Sequence, residues 1–595
     1  MNECPPGPAP EADLRDQMRR ALVVVAAMAL LVAVPVGAVA QPIELVPGEA
    51  VETEIEDAEQ EPEIPALELV DELREAPTIE PVDVNGGAGA TAADTEAEVR
   101  TPQPRTEPRR RARLAAPPPP PPPFVIRTIE VSPSGYLLAS EIDAVVSELV
   151  GTRIAIADLA TVAARFNALY DAQGIALAQA LIDRVDPTAG LIVIELLEAR
   201  IGAVEPNGRL ARDEYYRSRI GVAPGDLADN RVIQANLQRF SVTDGIIADA
   251  RFVPGAERGQ TNLVVDFAEP QKYVFTASAD TYGNPATGQY RARFGFTDAS
   301  LTGVLDPLSL TFTISEGSQA LGGAYARPIN ALGTRIFTSL DGERSTTLGA
   351  TRVLAHSING EIGVNHAFLT EPQLRILGRA SALGFFDESL LAGVRINDQI
   401  GGGVQAGVTI VYEQPGFLVT YDQLVRHVIW DDRVFAQTGL DTTYLAGSGT
   451  VIVRPVDRVA LSVRGGWQAA FGDRAPSAYR TTIASPEIVR GYTTGLSAGD
   501  GYYWIRSQVE AELPLGEETD VAVRPFAFAD FGQAFDQVAG SPLAQDPLAS
   551  VGAGVAVQIA NWGTGEVFVS KPLVDANGFD ADDAVRVDGR VALRF

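Results

Sequence analysis

Sulfur is almost missing from this chain of 595 residues. Its single cysteine is Cys4, and its methionines are Met1, Met18 and Met28. Disulfide frameworks, cysteine zinc sites and thiol catalysis are therefore excluded for everything downstream. Histidine is as scarce. His356, His366 and His427 form no His-x-x-x-His spacing, so each reads as a polar strand or loop residue rather than a metal ligand. Bases are outnumbered, with 47 Lys and Arg against 77 Asp and Glu and a formal charge of −30. Such a chain lacks the basic face that marks a nucleic-acid partner. Beyond the N-terminus no apolar run approaches the roughly 20 residues of a spanning helix, which excludes a multi-helix membrane protein.

The one apolar run is at the start. Residues 18–41 read MRRALVVVAAMALLVAVPVGAVAQ. Arg19 and Arg20 flank an apolar stretch, Pro35 and Gly37 break it, and Ala38-Val39-Ala40 is a small-x-small cleavage pattern. An export signal over 1–40 is expected, cleaved between Ala40 and Gln41, with Met18 as an alternative start. Cys4 would leave with it. Residues 41–99 hold 18 acids and one base, Arg74, a composition that cannot bury enough surface to order itself. Within it, Leu67, Leu69, Val70 and Leu73 share one face of a short amphipathic helix between Pro65 and Pro77. Residues 100–116 reverse the charge with six Arg. Pro117 to Pro123 then predict a stiff polyproline spacer of about 3 Å per residue. Residues 41–123 thus read as an acidic, Pro-rich tail.

A globular pattern begins at Phe124. Alternation over 125–131, helical spacing over 139–150 and 156–173, and strands near 176–184 and 190–197 give the order β-α-α-β-β across residues 124–198. The order repeats over 199–268, with a strand at 201–204, helices at 211–219 and 230–240, and strands at 247–253 and 262–268. From 269 to 595 the texture is strand-like segments of about 8–12 residues between Gly, Asp, Asn and Pro turns, the expected signature of a membrane barrel. At the end, Val585, Val587, Gly589, Val591, Leu593 and Phe595 occupy one face, and Arg586, Asp588, Arg590, Ala592 and Arg594 the other. A terminal aromatic on the apolar face is the ending expected of a bacterial outer-membrane barrel. Lipid cannot satisfy an open sheet edge, so the sheet must close. The length suits 16 antiparallel strands, and 14 or 18 remain open by counting.

Enzyme motifs fall away. Gly495-Leu496-Ser497-Ala498-Gly499 matches a nucleophile elbow, but no histidine follows it to serve as base. It reads as a Gly-rich loop. Asp530-Phe531-Gly532 copies a kinase tripeptide without the accompanying kinase motifs. No catalytic set, metal or cofactor is expected. More specific are Val489-Arg490-Gly491-Tyr492 in a long loop and Phe528-Ala529-Asp530-Phe531-Gly532 in a strand. An acid is costly against lipid, so Asp530 should point into the lumen, where a loop-tip Arg would be its natural partner.

Together, the signal, the Pro-rich linker, the two β-α-α-β-β units, the barrel, the V-R-G-Y loop and the F-x-D-x-G strand resemble the two-partner secretion outer-membrane transporters. These form the FhaC/ShlB/HecB family of the BamA-like outer-membrane assembly superfamily. The stretch Asp280 to Arg291 resembles the family's first barrel hairpin, and Tyr325-Ala-Arg-Pro328 a later strand end. The resemblance covers roughly residues 117–595. It implies periplasmic α+β POTRA domains followed by an all-β barrel in the outer membrane. Arg490, Gly491 and Tyr492 would form a loop tip re-entering the barrel, with Asp530 receiving Arg490 and Phe528 and Gly532 framing the contact. Residues 66–76 would take the place of an N-terminal plug helix, and Phe595 would end the strand that addresses the chain to barrel assembly machinery. The implied partners are outer-membrane lipid and an unfolded secreted protein of hemolysin or adhesin type. An assembly factor of the same superfamily is the alternative reading, and a passive porin a more distant one.

Overall fold

The computed structural model describes residues 122–513, 520–538 and 541–595. The expected signal segment with Ala38 and Ala40, the acidic tail and the expected 66–76 helix lie outside the described residues.

Residues 122–199 form one compact unit. Strand Leu191–Glu198 is central, parallel to Thr128–Val131 and antiparallel to Ala178–Asp186. Helices Ala139–Leu149 and Leu159–Ala172 lie between the first strand and the other two in sequence. Alternation puts Ile192, Ile194 and Leu196 on the buried face, where they meet Ile126, Val162, Phe166 and Tyr170. Period 2 on the sheet and period 3.6 on the helices converge on one core. At the end of the central strand, Glu198 accepts from the Gly135 amide at 2.7 Å and from the Tyr170 hydroxyl at 2.8 Å. Burial, with Glu198 beside it, holds that phenol well above its ordinary pKa, so it stays a donor.

The second unit contains residues 200–595. It opens with the same order: strand Arg200–Asn207, helices Asp213–Ile220 and Asn230–Asp244, and strands Ile247–Pro254 and Gln260–Ala268, the last central. The repeat, seen in sequence only as element order, extends to one side chain. Glu269 accepts from the Arg209 and Leu210 amides at 2.9 and 3.1 Å and from the Tyr216 hydroxyl, as Glu198 does in the preceding unit. In both, a carboxylate at the end of the last strand ties down the loop before the first helix. Asp229 caps helix Asn230–Asp244 by accepting from the Arg231 amide at 3.0 Å.

This small sheet sits on the barrel. Leu305, on the turn after strand Arg291–Asp298, is 2% exposed and packs with Leu210, Tyr216, Phe240 and Ile246. Arg335 bridges the buried Asp244 at 3.0 Å and also donates to the Leu305 carbonyl at 2.9 Å.

Sixteen antiparallel strands close the barrel, with Tyr273–Asp280 hydrogen-bonded to Arg291–Asp298 on one side and Arg586–Arg594 on the other. A short strand, Ser541–Ala544, extends the sheet beside Val521–Val538. Strands are longer than the 8–12 residues expected from texture. Val353–Thr370 and Leu374–Leu391 have 18, and Val394–Gln414 has 21. Tight connections such as Ala392-Gly393, both at positive φ, join them, so pairing continues past the 9–11 residues a bilayer requires. Sequence texture breaks such strands at internal Gly and Asp, which here face their neighbours within the sheet. The wall alternates. Phe294, Leu340, Ile362, Val404, Val567 and Val591 are exposed outside, while inside Arg426 donates to Gln405 at 3.0 Å and Gln405 to Glu361 at 2.6 Å. In the last strand Val587 and Val591 are exposed and Asp588 is buried, and Phe595 is 64% exposed. The Phe595 amide and carbonyl both pair with Phe275, at 2.8 and 3.0 Å.

Candidate functional site: a loop folded into the barrel lumen

The connection between strands Val459–Gly472 and Gly501–Ala511 is the site. Its residues 481–499 form a closed hairpin. Thr481 and Thr482 pair with Gly499 and Ala498, and the Ile483 and Val489 amides bond to Ser497 and Ile483 carbonyls at 2.9 and 3.0 Å. Ile483, Ala484, Val489 and Tyr492 bury against Ala534 and Leu548. These wall residues lie in the register of inward positions, so the hairpin occupies the lumen.

Arg490 is at its tip and is 2% exposed; Asp530, on strand Val521–Val538, is 3% exposed. Nε donates to Asp530 Oδ2 at 2.6 Å and Nη2 to Oδ1 at 2.8 Å, while the Arg490 backbone amide reaches Oδ2 at 3.2 Å. Paired parallel bonds of this kind fix geometry as well as charge. Nη1 donates to Gln508 Oε1 at 3.0 Å. The guanidinium carbon lies 3.4 Å from the centroid of the Phe528 ring and 5.7 Å from that of Phe568. A desolvated cation over an aromatic face is stabilised by the ring quadrupole, by about 2 kcal/mol. Every charged atom of the pair is thus met by protein.

Gly491 has φ +95, in the left-handed region, where a side chain would strain the backbone and press on Pro572. Tyr492 points its hydroxyl at the wall, donating at 2.9 Å toward the Ala549 and Val574 carbonyls and accepting from the Ala549 amide at 3.1 Å. Its own carbonyl accepts from Arg586 Nη1 at 3.0 Å, and Arg586 is held by Asp588 at 2.7 Å. Gly532 leaves room for Val489; a Cβ there would sit 3.0 Å from Val489 Cγ2, Trp504 Cβ and the Tyr503 carbonyl.

The residues singled out in the sequence therefore meet: Arg490 with Asp530 and Phe528, Gly491 and Tyr492 at the tip, Gly532 beside the loop. Phe595 lies apart, at the barrel seam. Sequence reasoning missed Gln508, Phe568 and Arg586. Gln508 shares the inward parity of its strand with Arg506, which is a signal, but parity alone cannot say which inward residue lies level with a loop tip. Ser497, in the G-x-S-x-G match, is a loop residue donating to Gln545 at 2.8 Å.

No family model matches the chain. The heme/hemopexin transporter protein HuxB of Haemophilus influenzae strain 86-028NP is 22% identical over 479 residues, 75% of this chain and 82% of HuxB. CdiB from Escherichia coli superposes with a TM-score of 0.61 at 16% identity, covering 82% of this chain and 93% of CdiB. CdiB from Acinetobacter baumannii gives 0.56 at 15% identity, covering 80% and 90%. The chain thus shares the fold of the two CdiB structures and is similar over most of its length to the transporter HuxB. The similarity spans both the small α+β units and the barrel, as the resemblance in the sequence implied.

Proposed function

We propose that this protein exports an unfolded secreted partner, of hemolysin or adhesin type, across the outer membrane through the barrel lumen. The Arg490 hairpin is then the element that must leave for the channel to open. The observation that carries the reading is the buried Arg490–Asp530 pair, which fixes a loop inside a pore by a contact that can break and re-form. The α+β units would face the periplasm. Among the described residues, their sheets end in strands paired on one side only, Ala178–Asp186 and Ile247–Pro254. An extended cargo segment can add to such an edge through backbone hydrogen bonds. The reading is of a transporter without catalysis. Folding of the cargo outside would supply the drive. The relative HuxB is named for heme/hemopexin, which makes a hemoprotein-binding cargo one specific form of this reading.

Deleting the gene should remove one large protein from the culture medium. Because the reading needs the contact to re-form as well as to break, Arg490→Ala, which frees the hairpin and cannot re-seat it, should reduce export while the barrel remains inserted and heat-modifiable on gels. An unchanged secretome with a general loss of outer-membrane barrels would replace this reading with that of an assembly factor.

A further inference from the structure

The lumen hairpin is attached to the wall at a second place that the Arg490 contact does not involve. Just after strand Val459–Gly472 ends, the short turn Ser477–Tyr479 docks on the inner face of strands Leu374–Leu391, Val394–Gln414, Phe417–Asp432 and Gln437–Val456. The Ser477 amide donates to Gln399 Oε1 at 2.8 Å. Its hydroxyl lies 2.9 Å from Gln399 Oε1 and 3.2 Å from Asp387 Oδ2, and Asn397 Nδ2 donates to it at 3.2 Å. The Tyr479 ring sits edge-on to Phe385 at 5.4 Å and tilted against Tyr444 at 5.6 Å, with the Arg426 guanidinium 4.3 Å from its centroid. Ala475, Ser477 and Tyr479 are all buried.

The two attachments lie on opposite sides of the strands that carry the loop. Asp530 belongs to the wall beyond Gly501–Ala511, and the Ser477 and Tyr479 partners to the wall before Val459–Gly472. They also differ in chemistry. One is an ion pair at the tip of a closed hairpin; in the other the turn itself brings only an uncharged hydroxyl, a backbone amide and an aromatic ring, within a few residues of a strand end. A tether that short reaches only about 3.3–3.6 Å per residue, so the turn cannot travel far, whereas the hairpin beyond it can.

We propose that the Pro476–Tyr479 turn is a stationary anchor about which the 481–499 hairpin swings, so that Ser477 and Tyr479 are positioning residues for Arg490. The anchor stays on the wall in closed and open states, and only the tip contact cycles. This rests on the export reading above. It also divides the loop into a fixed limb and a moving one.

The test uses the full chain with Cys4→Ser, which removes its only cysteine, plus Asn397→Cys and Ser477→Cys, bridged in outer membranes by a short bifunctional methanethiosulfonate. The expected result is efficient bridging with export within about twofold of the unbridged protein. Bridging that arrests export, restored by reduction, would overturn the anchor, and so would a failure to bridge. Loss of the export reading looks different, since unbridged and unmutated chains would then export nothing. In planar bilayers, Tyr479→Ala should raise the frequency of full openings about tenfold or more, through the loss of two aromatic contacts and one cation–π contact. Tyr479→Phe, which keeps the ring, should restore the unmutated frequency. Equal opening in all three proteins would remove Tyr479 from the positioning of Arg490.

Discussion

Replacing Asp530 by alanine should release the lumen hairpin. The substitution removes both partners of Nε and Nη2 and the acceptor of the Arg490 amide. Gln508 and the Phe528 face remain, and neither carries a charge. A guanidinium that is 2% exposed is then buried without a counter-charge, which costs about 3–5 kcal/mol. With about 1.4 kcal/mol per tenfold change, the closed hairpin weakens relative to the released one by roughly 10²–10³ or more. The assay is thiol labelling of Ala484→Cys, a fully buried position on the hairpin, in a chain otherwise freed of cysteine. Labelling requires the hairpin to leave the wall, so its rate reports the released population. Asp530→Ala should speed labelling by about 10² or more. Arg490→Ala also frees the hairpin, and the double variant should resemble one single variant rather than their sum, so that the coupling is about as large as either single effect, about 3–5 kcal/mol. Additive effects, or labelling unchanged by Asp530→Ala, would refute the argument that this pair holds the loop.

Tyr492→Phe should also speed Ala484→Cys labelling, by a smaller factor, because it leaves the Ala549 amide without the hydroxyl acceptor at about 1–3 kcal/mol. Leu305→Ala should loosen the second α+β unit from the barrel by about 2–5 kcal/mol, seen as faster limited proteolysis of residues 200–268 with barrel heat-modifiability retained. Asp229→Ala should cost helix Asn230–Asp244 about 1 kcal/mol, read as faster amide exchange over that helix in the intact protein. The side-chain bond from Arg231, against the opposing effect of burial, holds the Asp229 carboxyl below its usual range. Its contribution is therefore present above about pH 4 and is lost as pH falls through the depressed folded value; an Asp229→Ala difference that persisted at about pH 2 would contradict this.

Much of the architecture was legible because it follows from local periodicity. Alternation in Val585 to Phe595 fixes which side of the last strand meets lipid, and the same parity sends Phe528 and Asp530 inward. Helical spacing in Leu159, Val162, Phe166 and Leu169 locates one face of the small core, to which the structure adds Tyr170. Strand length was less legible. Val394–Gln414 carries Asp398 and Gly401 to Gly403 within a continuous ladder, where hydrogen bonds to both neighbours override the local preference for a break.

The amino-acid sequence by itself determined the order of the elements, the barrel class and the inward side of Asp530, since each depends on spacing along one segment or on the cost of a charge facing lipid; Arg490 as its partner was implied by the resemblance of the two motifs. Only the tertiary structure decided what lies level with the loop tip. Gln508, Phe568 and Arg586 reach the tip, and Ser477 meets Gln399 and Asp387, because barrel closure and strand stagger bring distant inward positions to one height. Stagger is a property of the whole ring of hydrogen-bonded neighbours, and no single strand encodes it.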